Sequence, residues 1–136
     1  MTKTAFLFAG QGAQKLGMAS DLYEKYPIVR ETFDQASSIL GYNLRDLIDK
    51  EEDKLNQTRY TQPAILTTSV AIYRLLQEKG FKADMVAGLS LGEYSALVAS
   101  RTLSFEDAVA LVAKRGEFME TAAPAGTGKM VAVMNT

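Results

Sequence analysis

The sequence predicts an α/β fold built on a parallel sheet. Three observations carry that prediction. Short apolar runs end in glycine-containing turns, long segments of helical periodicity separate them, and a serine flanked by glycines stands where one run gives way to a helix. Strands separated by helices pair most simply in parallel, because each helix returns the chain to the same end of the sheet. With 136 residues, 47% of them hydrophobic, the chain is long enough for one compact domain with a proper core.

Thr4–Ala9 (TAFLFA) is a compact apolar run stopped by Gly10-Gln11-Gly12, which predicts a buried strand feeding a tight loop. Met18–Tyr26 predicts a short helix ending before Pro27. Pro27 suits the first turn of a second helix through Leu40, with Gly41 as its C-terminal stop. Asn43–Thr61 is polar and charged, and predicts irregular chain with short helical pieces. Pro63–Lys79 predicts a long helix, with Ile65, Ser69, Ile72 and Leu76 at helical spacing. Leu66, Val70 and Tyr73 widen that apolar face enough to imply a well-buried helix, and Gly80 stops it.

Met85–Gly88 predicts a second strand running into Ser90 and a helix over Leu91–Ser100. Ser104 with Asp107 three residues on resembles a capping box and opens a helix over Phe105–Ala122. The small-residue loop Pro124–Gly128 leads to a third strand, Met130–Met134. Neither a repeat nor a low-complexity tract nor an internal linker interrupts this order.

Composition narrows the chemistry. Lys plus Arg is 15 against 16 for Asp plus Glu, a net charge of -1, so there is no general electrostatic case for nucleic acid or an anionic membrane. The absence of cysteine removes disulfides, a thiol nucleophile and thiolate metal sites. The absence of histidine removes the commonest general base and the commonest metal ligand. A complete Ser-His machine therefore does not lie within these residues. The run Ala5–Ala9 is too short for a signal-peptide core, and nothing approaches the roughly 18 continuous apolar residues of a membrane span. The expectation is a soluble, cytoplasmic globular protein.

Gly88-Leu89-Ser90-Leu91-Gly92 matches G-x-S-x-G, the nucleophile elbow. On such a sharp strand-to-helix turn, bulky residues two positions either side of the serine would clash. The hydroxyl stands exposed, and the amide of the following residue, Leu91, points at a developing oxyanion. The positive end of the following helix is directed toward the same place. A plain tight turn made of small residues is the simpler alternative, but the flanking strand and helix favour a nucleophilic Ser90.

Gly10-Gln11-Gly12-Ala13-Gln14 follows the first strand. A dinucleotide fingerprint would need glycine where Lys15 stands. Loops at the carboxyl ends of parallel strands meet at one edge of the sheet, so the Gln11 loop and the Ser90 elbow are expected to face one another. A backbone amide of that loop is then a candidate second oxyanion donor. On the last helix, Phe105, Ala108, Val109, Val112, Gly116 and Met119 form the inward stripe, and Arg115 lies roughly 60° from its centre. Two alternatives stand for Arg115: a side chain snorkelling to solvent, or a guanidinium gripping a carboxylate through two parallel hydrogen bonds.

Two further segments carry no chemistry. Gly126-Thr127-Gly128-Lys129 is similar to a phosphate loop, but Ala123 occupies the first glycine position and Met130 replaces the required Ser or Thr. Lys50-Glu51-Glu52-Asp53-Lys54 reads as a solvated surface.

Across essentially all 136 residues the chain resembles the N-terminal part of the malonyl-CoA:acyl-carrier-protein transacylases of bacterial fatty-acid synthesis. The resemblance rests on Phe6-Leu7-Phe8-Ala9-Gly10-Gln11-Gly12, Thr61-Gln62-Pro63-Ala64, Gly88-Leu89-Ser90-Leu91-Gly92-Glu93-Tyr94-Ser95-Ala96-Leu97 and Lys114-Arg115-Gly116-Glu117-Phe118-Met119. It implies that Ser90 attacks the thioester of malonyl-CoA to form a malonyl-serine ester, which the phosphopantetheine thiol of acyl-carrier protein then takes up. The amides of Gln11 and Leu91 would hold the oxyanion, and Arg115 would pair with the free carboxylate of malonate. Gln62 corresponds to a family glutamine near the active site, and Met119 to a pocket-lining position. No cofactor and no metal is implied.

The family pattern is not followed everywhere. Leu89 stands where many members have histidine, and Ala9 where many have proline. Members are roughly twice as long, with a hydrolase-like α/β core, an inserted ferredoxin-like subdomain and a catalytic histidine downstream of any position here. The resemblance thus implies that residues 1–136 form the N-terminal part of the large α/β subdomain, without the ferredoxin-like subdomain and the C-terminal part. It also implies a monomeric full-length member, whereas unpaired sheet edges would favour self-association of these residues alone. Two other functions share some of the same features. A serine hydrolase or thioesterase would use the same elbow, and a non-catalytic flavodoxin-like binding module would have the serine turn by coincidence.

Overall fold

The computed structural model describes residues 3–122. The Pro124–Gly128 loop and the Met130–Met134 strand expected from the sequence lie outside the described residues. Those described form two short strands and seven helices: β1 (Ala5–Phe8), α1 (Ser20–Lys25), α2 (Pro27–Leu40), α3 (Leu44–Lys50), α4 (Glu52–Leu55), α5 (Thr58–Glu78), β2 (Met85–Gly88), α6 (Leu91–Ala99) and α7 (Phe105–Ala122). The strands pair in parallel, with Ala5 opposite Met85 and Phe8 opposite Gly88. The α/β class and the parallel pairing agree with the sequence. The balance is nonetheless mostly helical.

Local signals explain most boundaries. Pro27 stands at the first turn of α2, where its missing N–H costs nothing, and Gly41 ends that helix in a left-handed conformation at φ 83°. The Asp107 amide donates to Ser104 Oγ at 3.1 Å, the forward half of the expected capping box on α7. The core lies between α2, α5 and α7, with Val29 and Phe33 from α2, Leu66 and Val70 from α5, and Val109 and Val112 from α7 all at most 1% exposed. Each such side chain contributes roughly 1.5–3 kcal/mol when fully buried. α5 runs through the middle of this core, as its broad apolar face predicts.

Three expectations need correction. β1 is not a buried strand: its residues alternate between exposed and half-buried, and Leu7 is 80% exposed. Phe6 and Phe8 stack edge-on against Tyr73 of α5, so one face is packed, while Leu7 on the other face has no covering layer among the described residues. Asn43–Thr61 has the short helical pieces expected, α3 and α4, but little irregular chain between them. Its charged residues hide the helical contacts of Leu44, Leu47, Ile48 and Leu55, which carry α3 and α4 into the core. Finally, α5 begins at Thr58 rather than Pro63, and Ile72 on the expected inner face is exposed. Pro63 sits in the second turn of α5, where its lack of an N–H leaves the Arg59 carbonyl without its helical donor. Contacts from α7 hold that first turn in place. Among the described residues no helix is long and apolar enough to cross a membrane.

Candidate active site

The site is built where β2 turns into α6. Ser90 takes φ 56° and ψ -114°, a conformation L-residues rarely adopt. The glycines on either side make this turn possible. A Cβ on Gly88 would overlap the Gly92 carbonyl, and a Cβ on Gly92 would overlap the Phe8 carbonyl at the end of β1. The two glycines are therefore required by backbone-to-backbone approach, as G-x-S-x-G spacing predicts. Ser90 is exposed, and Leu91, the first residue of α6, has a buried side chain. The Gly92 and Glu93 amides bond back to the carbonyls of Leu89 and Ser90, whereas the Leu91 amide has no acceptor among the described residues.

The loop after β1 lies against this elbow. A Cβ on Gly10 would come within 3.1 Å of the Leu89 carbonyl oxygen. Gln11 and Gly12 form the centre of a turn closed by the Ala13 amide on the Gly10 carbonyl at 3.3 Å, with Gly12 at φ 109°. The Gly12 amide is taken by Gln14 Oε1 at 2.8 Å. The Gln11 amide, like that of Leu91, has no acceptor among the described residues. The two loops thus meet as the sheet-edge argument predicts, each with an amide available.

Arg115 does not snorkel away. It is half-buried on α7, its Nη1 donating to Gln62 Oε1 at 2.9 Å and its Nη2 to Ser90 Oγ at 3.1 Å. The guanidinium carbon sits 5.5 Å from the centre of the Tyr94 ring, within cation–π range. Gln62 is fully buried, and its Nε2 lies 3.1 Å from Met119 Sδ, a soft acceptor on the half-buried next turn of α7. Ser90, Gln62, Arg115 and Met119 are therefore drawn together in one chain of contacts. Four further residues adjoin this site: Tyr94, Thr58, Arg59 and Glu120. Tyr94 is legible in the sequence, since it lies one helical turn beyond Ser90. Thr58, Arg59 and Glu120 are not, because their contacts join α5 to α7 and the Gln11 loop across long sequence separations.

α5 and α7 meet closely enough to explain this order. A Cβ on Gly116 would come within 2.8 Å of Arg59 Cα and 2.9 Å of the Thr58 carbonyl oxygen. Gln57 offers no side-chain cap to α5, and Glu120 of α7 supplies one: its Oε1 accepts the Arg59 amide at 3.0 Å and its Oε2 accepts Arg59 Nε at 2.6 Å. Burial pushes the Glu120 carboxyl up, but the Arg59 hydrogen bonds and charge outweigh this and hold it below the ordinary carboxylate value.

This α/β chain belongs to the acyl transferase domain family, whose match covers residues 5–136. More narrowly, it is similar to malonyl CoA-acyl carrier protein transacylases. It is 54% identical to the one from Escherichia coli K12 and 50% identical to the one from Bacillus subtilis, in each case over 98% of this chain. Among solved structures, MCAT from Streptococcus pneumoniae superposes with a TM-score of 0.89 at 80% identity over 90% of this chain. PlMCAT, a malonyl-transacylase solved in complex with the type II PKS acyl-carrier protein AntF, superposes with a TM-score of 0.88 at 48% identity over 92% of this chain. The chain spans 43–44% of the length of the two curated relatives and 40–41% of the two solved chains.

Proposed function

We propose that this chain carries the acyl-binding half of a malonyl transfer site, moving malonyl from malonyl-CoA to the phosphopantetheine thiol of acyl-carrier protein in the cytoplasm. Residues 1–136 would form the N-terminal part of the large α/β subdomain. In the first half-reaction Ser90 Oγ attacks the thioester carbonyl and loses its proton, the carbonyl oxygen becomes an oxyanion, and collapse expels the CoA thiolate to leave malonyl-Ser90. In the second, the acceptor thiol attacks that ester carbonyl as its proton is removed. The acyl C–Oγ bond breaks to leave malonyl on the acceptor as a thioester, and Ser90 Oγ takes up a proton. The amides of Gln11 and Leu91 donate to the oxyanion in both tetrahedral states. Arg115 receives the free malonyl carboxylate, Gln62 fixes the guanidinium plane from behind, and Met119 backs Gln62.

The single observation that carries this assignment is the position of Arg115, with its guanidinium on the serine hydroxyl and its other arm on a buried glutamine. A cation fixed beside the nucleophile suits an acyl group that ends in a carboxylate, and an uncharged acyl chain gains nothing from it. The same feature favours a transferase over a hydrolase or a binding module that shares the elbow. These residues include no histidine, and a serine hydroxyl without a base is a poor nucleophile. The 136 residues alone should therefore be inactive or nearly so, with a base from outside them completing the reaction.

Transfer of labelled malonyl from malonyl-CoA to acyl-carrier protein by the full-length protein carrying these residues tests the proposal. Loss of transfer on Ser90→Ala is expected. Hydrolysis outrunning transfer would favour the hydrolase, and rapid stoichiometric acylation of the 136 residues alone would remove the need for an outside base.

A further inference from the structure

The turn that presents the Gln11 amide is short, exposed and flanked by Gly10 and Gly12, whose lack of a Cβ removes the usual steric limit on backbone rotation. An oxyanion donor gives its full effect only when its direction is fixed before the charge develops. Two side-chain tethers supply that constraint. Gln11 Nε2 donates to Thr58 Oγ1 at 3.1 Å, and Gln14, whose Oε1 already holds the Gly12 amide, donates through Nε2 to Asn56 Oδ1 at 3.0 Å. Both tethers end on the junction between α4 and α5, only two residues apart.

That junction is itself tied by backbone hydrogen bonds. The Asn56 amide bonds the Glu52 carbonyl at 3.1 Å, the Gln57 amide bonds the Lys54 carbonyl at 2.9 Å, and the Thr61 amide closes on the Gln57 carbonyl at 2.8 Å. Gly116, next in sequence to Arg115, packs its backbone directly on the Thr58 carbonyl. The first turn of α5 thus touches the oxyanion turn through Thr58 and the arginine-bearing helix through Gly116.

We propose that Thr58 is a positioning residue for acyl transfer, its hydroxyl holding the Gln11 side chain so that the Gln11 amide faces the elbow, with Asn56 holding the far end of the same turn through Gln14. The inference rests on the acyl-transfer role proposed above. Thr58 does not touch the acyl group; it acts through Gln11. Because α5 also abuts Gly116, the oxyanion donor and the carboxylate clamp share one foundation, which fixes the distance between the two ends of a bound malonyl group.

Thr58→Val removes the hydroxyl with little change in shape, and Thr58→Ser keeps it. In the full-length protein, Thr58→Val should lower kcat for malonyl transfer about tenfold, below the hundredfold or greater loss of an oxyanion donor outright. KM for malonyl-CoA should change less than about twofold, since the ground-state thioester gains little from the oxyanion site. Thr58→Ser should recover most of kcat. The infrared carbonyl stretch of malonyl-Ser90 gives a second measurement: it should move to higher frequency in Thr58→Val, as the Gln11 bond to the ester oxygen weakens, and return in Thr58→Ser. Parent-like kcat in Thr58→Val, equal impairment in both variants, or an unmoved carbonyl band beside a reduced kcat would each overturn the inference. A parent protein that forms no malonyl-Ser90 at all would overturn the functional assignment itself, and this inference with it.

Discussion

The guanidinium of Arg115 donates to the hydroxyl oxygen of Ser90 across 3.1 Å, although 25 residues separate them in sequence. Gln62, fully buried, holds the opposite edge of the same guanidinium. The arginine is thereby oriented by contacts within the chain, and under the proposed function a malonyl carboxylate entering beside Ser90 would meet a guanidinium whose direction is already set. Such preorganisation lowers the cost of ordering a long, flexible side chain on binding.

Arg115→Ala is expected to lower kcat/KM for malonyl-CoA about 10–100-fold in the full-length protein, the range set by one or two hydrogen bonds to a charged group. Activity toward acetyl-CoA, which has no second carboxylate, should fall far less or rise. Arg115→Lys keeps the charge but loses the planar fork, so it should recover only part of the preference. Competition between labelled malonyl-CoA and acetyl-CoA reads this directly, and an unchanged ratio in Arg115→Ala would remove Arg115 from acyl selection.

Ser90 carries a local conformational cost at the strand-to-helix elbow. Its φ of 56° and ψ of -114° suit glycine and strain any residue with a Cβ. Ser90→Gly should therefore be more stable than Ser90→Ala by about 1–2 kcal/mol, while both lack the hydroxyl and neither transfers malonyl. Chemical denaturation of the two variants measures the difference. Equal stability would mean that the elbow relaxes without penalty when the hydroxyl is removed.

Much of the fold and site was legible because local chemistry set it. Pro27 and Gly41 bracket α2, Ser104 caps α7, and the glycines around Ser90 mark a turn that no larger residue allows. Failures came where long-range contacts decide. Pro63 reads as a helix start, yet α5 extends back to Thr58 because Gly116 and Glu120 of α7 seat and cap its first turn. Arg115 could be placed near the edge of its stripe, but only the buried Gln62 on another helix decides that it turns inward. The apolar residues of β1 predict burial, whereas exposure depends on which layers cover each face.

The elbow glycines predict a strong, position-specific effect of adding one carbon. Gly92→Ala would drive a Cβ into the Phe8 carbonyl, a backbone atom held by the β1–β2 pairing, so no side-chain rotation relieves it. Its cost is expected to exceed about 3 kcal/mol, the upper range of ordinary overpacking, and to separate β1 from the elbow. By contrast, a Cβ at Gly12 meets nothing within 4 Å, and only its φ of 109° opposes Gly12→Ala. That variant should lose about 1–2 kcal/mol. Thermal unfolding of both distinguishes steric overlap from conformational strain, and the order reversed would contradict the packing described.

Glu120 ties the helix carrying Arg115 to the first turn of α5, and its contribution should depend on pH in a defined direction. Burial alone would raise its carboxyl; the amide and guanidinium of Arg59 outweigh that and leave it below the ordinary 4.5. A carboxyl depressed on folding stabilises fully above its unfolded value, and that stabilisation is lost as pH falls through the folded value. Glu120→Gln keeps an oxygen for the Arg59 amide but removes the charge, so its deficit relative to parent should be constant near neutrality and shrink below about pH 4.5. Glu120→Ala removes the cap as well and should lose about a further 1 kcal/mol at either pH. Added salt should narrow the Glu120→Gln gap, because the Arg59 side chain is 44% exposed. Denaturation midpoints of the three proteins at about pH 7 and about pH 3 provide the measurement. If the gap between parent and Glu120→Gln is the same at both, the Arg59–Glu120 charge pair contributes nothing and Glu120 acts through its capping oxygen alone.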